Sequence, residues 1–456
     1  MKNSVRLLAC AGLVSVCLCA CKDTDLFVED TYIEQVRASF PVKGIDPGQQ
    51  WSTTGTTLMR VTVRMGRPGS YTVKVFSQQP DSAGAAGLLA CGSVAGGQTL
   101  VTAVSYPLSS PLVYVAVADS AGVMTVCPAP VSGGETALEV GDAAAGSRPL
   151  AACRLSPAEA ARLKAAGTGL TYCYEDNFPA PGDCDFNDVV MGLQLEKRHR
   201  RAGAQCDTLV ARVGLRAVGS LKPIAAALRL KGVSAACVGG TFGLEAAPGR
   251  PSLGFYDIER YNTLLHKGGD DGRSFLTALD GQDVVIPLFN DAHYAISGGE
   301  KEEGDAKRRY YNTKAAPGAG GETVAEGRLP ASVYTLYFRD SAAFARFAPD
   351  KADLFIIEEF NGACYEVHTL AFKQDEVVHR WREGSTAYAD NFPWAIAVPG
   401  VFSYPVEGTP IGSSPISNVL GGAYQTRGHS FGEWAMDRSK AADWYGYPRA
   451  GLVCPR

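Results

Sequence analysis

The chain has 456 residues, 46% hydrophobic and 20% charged, with a formal net charge of −4. It is long enough for two or three domains, each with its own core. It has neither the basic excess nor the basic stripe of a nucleic-acid-binding protein, so no nucleic-acid partner is expected.

At the N-terminus, Lys2 and Arg6 precede the apolar stretch Leu7 to Ala20. This has the form of a targeting segment, too short to span a bilayer comfortably. It closes on Leu18-Cys19-Ala20-Cys21, which resembles a bacterial lipobox, with Cys21 as the acylated first residue of the mature protein. Lys22 to Asp25 behind it resembles the surface-export tracts of some outer-membrane lipoproteins. Residues 1–20 are therefore expected to be a lipoprotein signal peptide and 21–45 a tether or linker. Acyl chains at about 0.8 kcal/mol per buried methylene would hold a body to a membrane.

From Trp51 the pattern becomes strand-like. TLMRVTVRM and SYTVKVF alternate apolar and polar residues across the turn GRPGS, and PLVYVAVAD follows. Residues 46–143 read as a small antiparallel β-sandwich, with Gly133 to Pro149 as an inter-domain linker. Ser156 to Gly167 predicts a short helix, capped by Ser156, Pro157 and Glu159. Beyond Val189, VVMGLQLEKR, TLVARVGLRAVG, AALRLKGV, ASVYTLYFRD and LFIIEEF read as strands. The positive run Lys197 to Arg201 falls where the first of these should end and reads as a solvated turn. Glu300 to Glu322 reads as a surface loop, and Ser430 to Ser439 holds a short helix. With 51 glycines and 26 prolines, short strands outnumber helices.

The most informative stretch is Tyr174 to Val190, YEDNFPAPGDCDFNDVV, with five carboxylates and two prolines ahead of a strand. Asp183, Asp185 and Asn187 alternate, so in a tight loop their oxygens can converge; Asp176, Asp188 and Glu175 could complete a shell. Calcium suits such hard oxygens, taking about six to eight at about 2.3–2.6 Å. The spacing opens like an EF-hand and then departs, with Asp188 where glycine should stand and Gln194 where the bidentate Glu should. An Asx-turn cluster satisfying backbone amides explains the same residues, with Asp188 a good candidate for that role, and a catalytic acid pair is a third reading. Cys173 and Cys184 flank the stretch and could staple it or remain buried thiols. YEDNFP recurs as YADNFP at Tyr388, without continuing flanks.

Gly182 to Glu196, GDCDFNDVVMGLQLE, resembles the signature of the LruC domain, a domain of unknown function in exported bacterial lipoproteins. Val284 to Ile296, Phe360 to Phe372, Asp390 to Ile411 and Phe431 to Tyr445 resemble its further motifs in order. The resemblance implies export and a mainly β fold: an N-terminal β-sandwich, then a larger sandwich or jelly-roll-like domain with short helices over 150–456. It supplies no reaction. The DxDFND stretch also resembles that of calcium-dependent β-domains, which is the basis for expecting an ion there.

No nucleophile elbow, zincin motif or phosphate loop is present. Glu358 and Glu359 are adjacent, so on a strand they face opposite ways. His368 reads as a packed, hydrogen-bonded residue, and Trp394 as core. The expectation is a non-catalytic binding or structural lipoprotein of the outer membrane or cell surface, adhesion being one such role. It would be held to the membrane by lipid and meet an extracellular protein or glycan. The alternative is a glycan-binding module or glycoside hydrolase, with FPW and FSYP aromatics as the sugar face.

Overall fold

A computed structural model describes residues 29–80, 87–120, 123–141, 150–154, 169–201, 203–239, 242–254, 276–277, 283–298, 308–314, 321–360, 363–372, 392–414 and 422–454. Cys21, the helix expected at 156–167, much of the 300–322 loop and residues 388–391 of the second DNFP copy lie outside the described residues. The fold is mainly β. Among the described residues no helix is long and apolar enough to cross a membrane.

The first sandwich is built from β1 (Thr54–Arg64), β2 (Ser70–Phe76), β3 (Leu88–Ala95), β4 (Thr99–Pro107), β5 (Leu112–Ala118), β6 (Val123–Pro130), β7 (Gly134–Gly141) and β8 (Leu150–Arg154). One layer is β4-β1-β7, antiparallel on one side of β1 and parallel on the other. The facing layer runs β3-β2-β5-β6-β8. Alternation drives this: Met59, Val61 and Val63 from β1 meet Tyr71, Val73 and Val75 from β2 in one core, while the residues between them point away. The expected linker Gly133 to Pro149 contains β7, because Thr136, Leu138 and Val140 share the inward face of a period-2 pattern. β8, beyond that stretch, pairs with β6.

The main sandwich follows with β9 (Leu170–Tyr174), β10 (Val189–Arg198), β11 (Asp207–Val218), β12 (Ala225–Leu230), β13 (Gly243–Ala246), β14 (Leu276–Thr277), β15 (Val284–Phe289), β16 (Tyr310–Tyr311), β17 (Gly321–Glu322), β18 (Ala331–Phe338), β19 (Ala352–Phe360), β20 (Ala363–Val367) and β21 (Ala395–Pro399). One sheet runs β13-β18-β11-β10, with β9 and then β21 beyond β10. The other is β14-β15-β12-β19-β20. Tyr174 spans the gap, its hydroxyl donating to the Leu354 carbonyl at 2.6 Å. A hairpin, β22 (Gln425–Thr426) and β23 (His429–Ser430), leads into a short capped helix, Phe431–Met436, as the sequence predicts.

The two sandwiches share a strand. β10 pairs along one edge with β9 through Leu193↔Leu170, then with β3 through Lys197↔Ala90. The run read as a solvated turn therefore begins inside the sheet. Lys197 is 1% exposed, and its Nζ donates to the carbonyls of Ala345 and Phe347 at 3.0 and 2.8 Å. These close a helix, Ser341–Arg346, whose orphan carbonyls need a donor, so lysine here serves as a buried cap.

The stretch expected to be linker up to residue 45 also packs. A helix, Glu29–Ser39, brings Val36, Phe40 and Val42 into the main core, and Phe40 meets Phe392 edge-on at 5.1 Å. Trp51 stacks on Phe431 at 5.6 Å. Apolar residues at helical spacing bury here because the main core leaves a face for them.

Candidate functional site

The acidic stretch is the loop joining β9 to β10, whose ends pair at Tyr174↔Val189. Cys184 and Phe186 adopt left-handed φ values of 61° and 54°, uncommon for residues with a Cβ. This geometry turns both amides onto one carboxylate: Phe186 N donates to Glu175 Oε1 at 2.6 Å and Cys184 N to Oε2 at 3.3 Å. Asp185 accepts the Asn187 amide at 3.1 Å, an Asx turn, and the Gly408 amide at 2.7 Å. Asp188 accepts the Asp176 amide at 2.7 Å.

Three other segments are tied in. Asn187 Nδ2 donates to the Pro405 carbonyl at 3.2 Å, and Ile411 N to the Cys184 carbonyl at 2.8 Å. Asp176 accepts the Ser220 hydroxyl from the β11–β12 connection. Lys222 donates to the Asp176 carbonyl and reaches Glu358 Oε2 on β19 at 3.0 Å. The loop thus clasps both sheets of the main sandwich at one end.

Oxygens of Glu175, Asp183 and Asp185 lie within 4.8 Å of one another. Glu175 and Asp185 are buried and Asp183 is exposed. Burial, then the neighbouring Asp183, pushes Glu175 up to about 8. Burial, then Glu175 and Asp183, pushes Asp185 up to about 10. Asp188 is also held well above the usual carboxylate range, by burial and then Asp176. Like charges this close favour proton uptake or a cation. The three carboxylate oxygens are a donor set of the kind a hard cation takes. Asn187 does not join them: its Nδ2 is on the Pro405 carbonyl, and its Oδ1 is buried without a hydrogen-bond partner. That oxygen lies against Gly219, where a side chain would overlap it.

The structure thus brings Asp183 and Asp185 together, with Glu175 as third member. Asp176 and Asp188 turn instead to Ser220, Lys222 and each other. Cys173 and Cys184 are buried free thiols.

Other candidates resolve into packing. Glu358 is fully buried and Glu359 exposed, facing opposite sides of β19. His368 is 1% exposed between Asp353, 3.0 Å from Nδ1, and Glu366, 3.0 Å from Nε2. Arg229 reaches Asp353 at 3.1 Å from the other side. Packing and hydrogen bonding of His368 are legible in the sequence, but its charged partners are not, because they are scattered and only the fold assembles them. Phe392, Trp394, Phe402 and Tyr404 are all core, so the aromatics expected to form a sugar face are not a surface. Trp394 packs edge-on against Phe178 at 5.1 Å.

Among curated proteins none matches the chain. Among solved structures, a Bacteroides ovatus protein described as a candidate lipoprotein aligns over 84% of this chain and 98% of its own, at 16% identity and a TM-score of 0.48. The full-length major pilin SpaD of Corynebacterium diphtheriae aligns over 71% of this chain and 66% of its own, at 10% identity and a TM-score of 0.15. The model of a domain of unknown function, DUF4842, matches residues 206–445, from the start of β11 to beyond the helix Phe431–Met436. The chain belongs to the DUF4842 family of proteins.

Proposed function

We propose that the protein is an envelope lipoprotein of the LruC type, acylated at Cys21, whose folded body does binding or structural work and no catalysis. The loop of Glu175, Asp183 and Asp185 is its rigid clasp, and those carboxylates would hold a calcium ion. One observation carries this reading: Glu175, Asp176, Asp185 and Asp188 each accept a hydrogen bond from protein, Glu175 and Asp188 from the loop's own amides and Asp176 and Asp185 from Ser220 and Gly408 far along the chain. Carboxylates tied down in this way hold a shape. Calcium would supply the positive charge that this crowded set lacks, with Asp183 as its exposed ligand.

The membrane tether rests on the Leu18-to-Cys21 sequence. Mass spectrometry of protein from the native membrane should find diacylglycerol on Cys21, and an unmodified Cys21 would refute the tether. Calcium has its own test. Melting in millimolar calcium against chelator should show an upward shift, since an ion that binds only the native state must stabilise it. No shift would leave protonation as the way the clasp sheds charge.

A further inference from the structure

We propose that the junction between the two sandwiches is a binding site for a small uncharged amphiphile. A cavity of about 260 Å³ opens there, close to the lower end of ligand pockets at roughly 300–1,000 Å³. It sits where the β10 edge passes from β9 to β3. Leu193 is the last residue paired to β9 and Lys197 the first paired to β3. The sheet parts between these points, and Leu89, Leu170, Leu193 and Leu195 form an apolar floor.

The rim is hydroxyl and amide. Ser109 and Tyr445, one from each sandwich, share a hydrogen bond of 2.6 Å across the mouth. Gln78 and Ser110 stand beside it, both exposed. Among the described lining residues none carries a charge. An ionic ligand would give up its water for a lining with no opposite charge, a cost that disfavours it at such a site. A neutral molecule with a two-ring or short-chain apolar body would bury that body on the leucines. One or two polar groups would meet Gln78 and Ser110. The site lies at the end of β9 and β10 remote from the acidic clasp, so it is independent of the calcium reading.

Full-length protein carrying Cys21→Ser, made without acylation, is titrated with the uncharged fluorophore N-phenyl-1-naphthylamine. Its anionic relative 8-anilino-1-naphthalenesulfonate is titrated in parallel. The expected result is one saturable site for the neutral dye, at least about tenfold weaker for the sulfonate. Leu195→Arg puts a charge on the floor, and Ser110→Trp covers the mouth from an exposed position that folding tolerates. Each should weaken the neutral dye about tenfold or more, with Ser110→Trp leaving the melting temperature unchanged. No saturable neutral binding, equal binding of the two dyes, or binding indifferent to Ser110→Trp would overturn the proposal.

Discussion

Gly182 lies directly against the Glu175 carboxylate, so that a Cβ at residue 182 would overlap Oε2. The close approach lets the loop fold back over its own acid, and the two residues define the clasp together.

Gly182→Ala should destabilise the protein by about 1–3 kcal/mol, since either the carboxylate or the loop must move. Gly327→Ala, where a Cβ meets nothing within 4 Å, is the control and should stay near neutral. Urea denaturation of the two variants makes the comparison.

Without a cation, the clasp should make stability fall as pH rises. The folded-state values of Glu175 and Asp185 are raised to about 8 and about 10. The native state therefore binds more protons than the unfolded chain between the ordinary carboxylate range and those values, and loses that advantage as pH climbs through them. Melting in chelator at pH 5, 7 and 9 should show the decline. Millimolar calcium should flatten it, and Asp183→Asn should weaken the calcium effect.

His368 titrates the same way for a different reason. Burial alone would lower its pKa, but Asp353 and Glu366 outweigh it and raise the imidazole to about 9. Its contribution is complete below about 6.5 and lost as pH passes 9. His368→Leu should cost about 3–5 kcal/mol at pH 6, since it leaves Glu366 buried with a partner removed. Thermal melts of the variant at pH 6 and pH 9 should differ less than those of wild type.

Lys197 runs in the opposite direction. Burial lowers its pKa to about 7, so above that pH the unfolded chain holds a proton that the native state does not. Stability from this group rises between about 7 and 10.5. Lys197→Met removes that slope and uncaps the helix Ser341–Arg346. Its deficit against wild type should therefore grow from pH 6.5 to pH 9, read by the same melts.

Much of the strand pattern was legible because alternation is local: Met59, Val61 and Val63 announce a half-buried strand by themselves. The acidic loop was legible as a site by its crowding, and the pairing of Asp183 with Asp185 by their spacing. The diversion of Asp176 and Asp188 was not, because it depends on Ser220, Lys222 and Glu358, which the fold brings from far along the chain. The burial of Lys197 is hidden for a related reason. A lysine among arginines looks solvated until the carbonyls of a helix about 150 residues later arrive over it. Phe40 and Trp51 look like linker and strand approach, since nothing local says that residues 392 and 431 will meet them.

The helix Glu29–Ser39 and the segment after it dock on the main sandwich before the chain enters the first one. Tension applied upstream of residue 29 would therefore load the larger body directly. The smaller one stands outside that line of force at first, braced through the shared strand, through Thr53 on the Ala397 carbonyl and through Ser109 on Tyr445. Pulling from that end should unseat Phe40 and Trp51 first, and only then pass the load to β1.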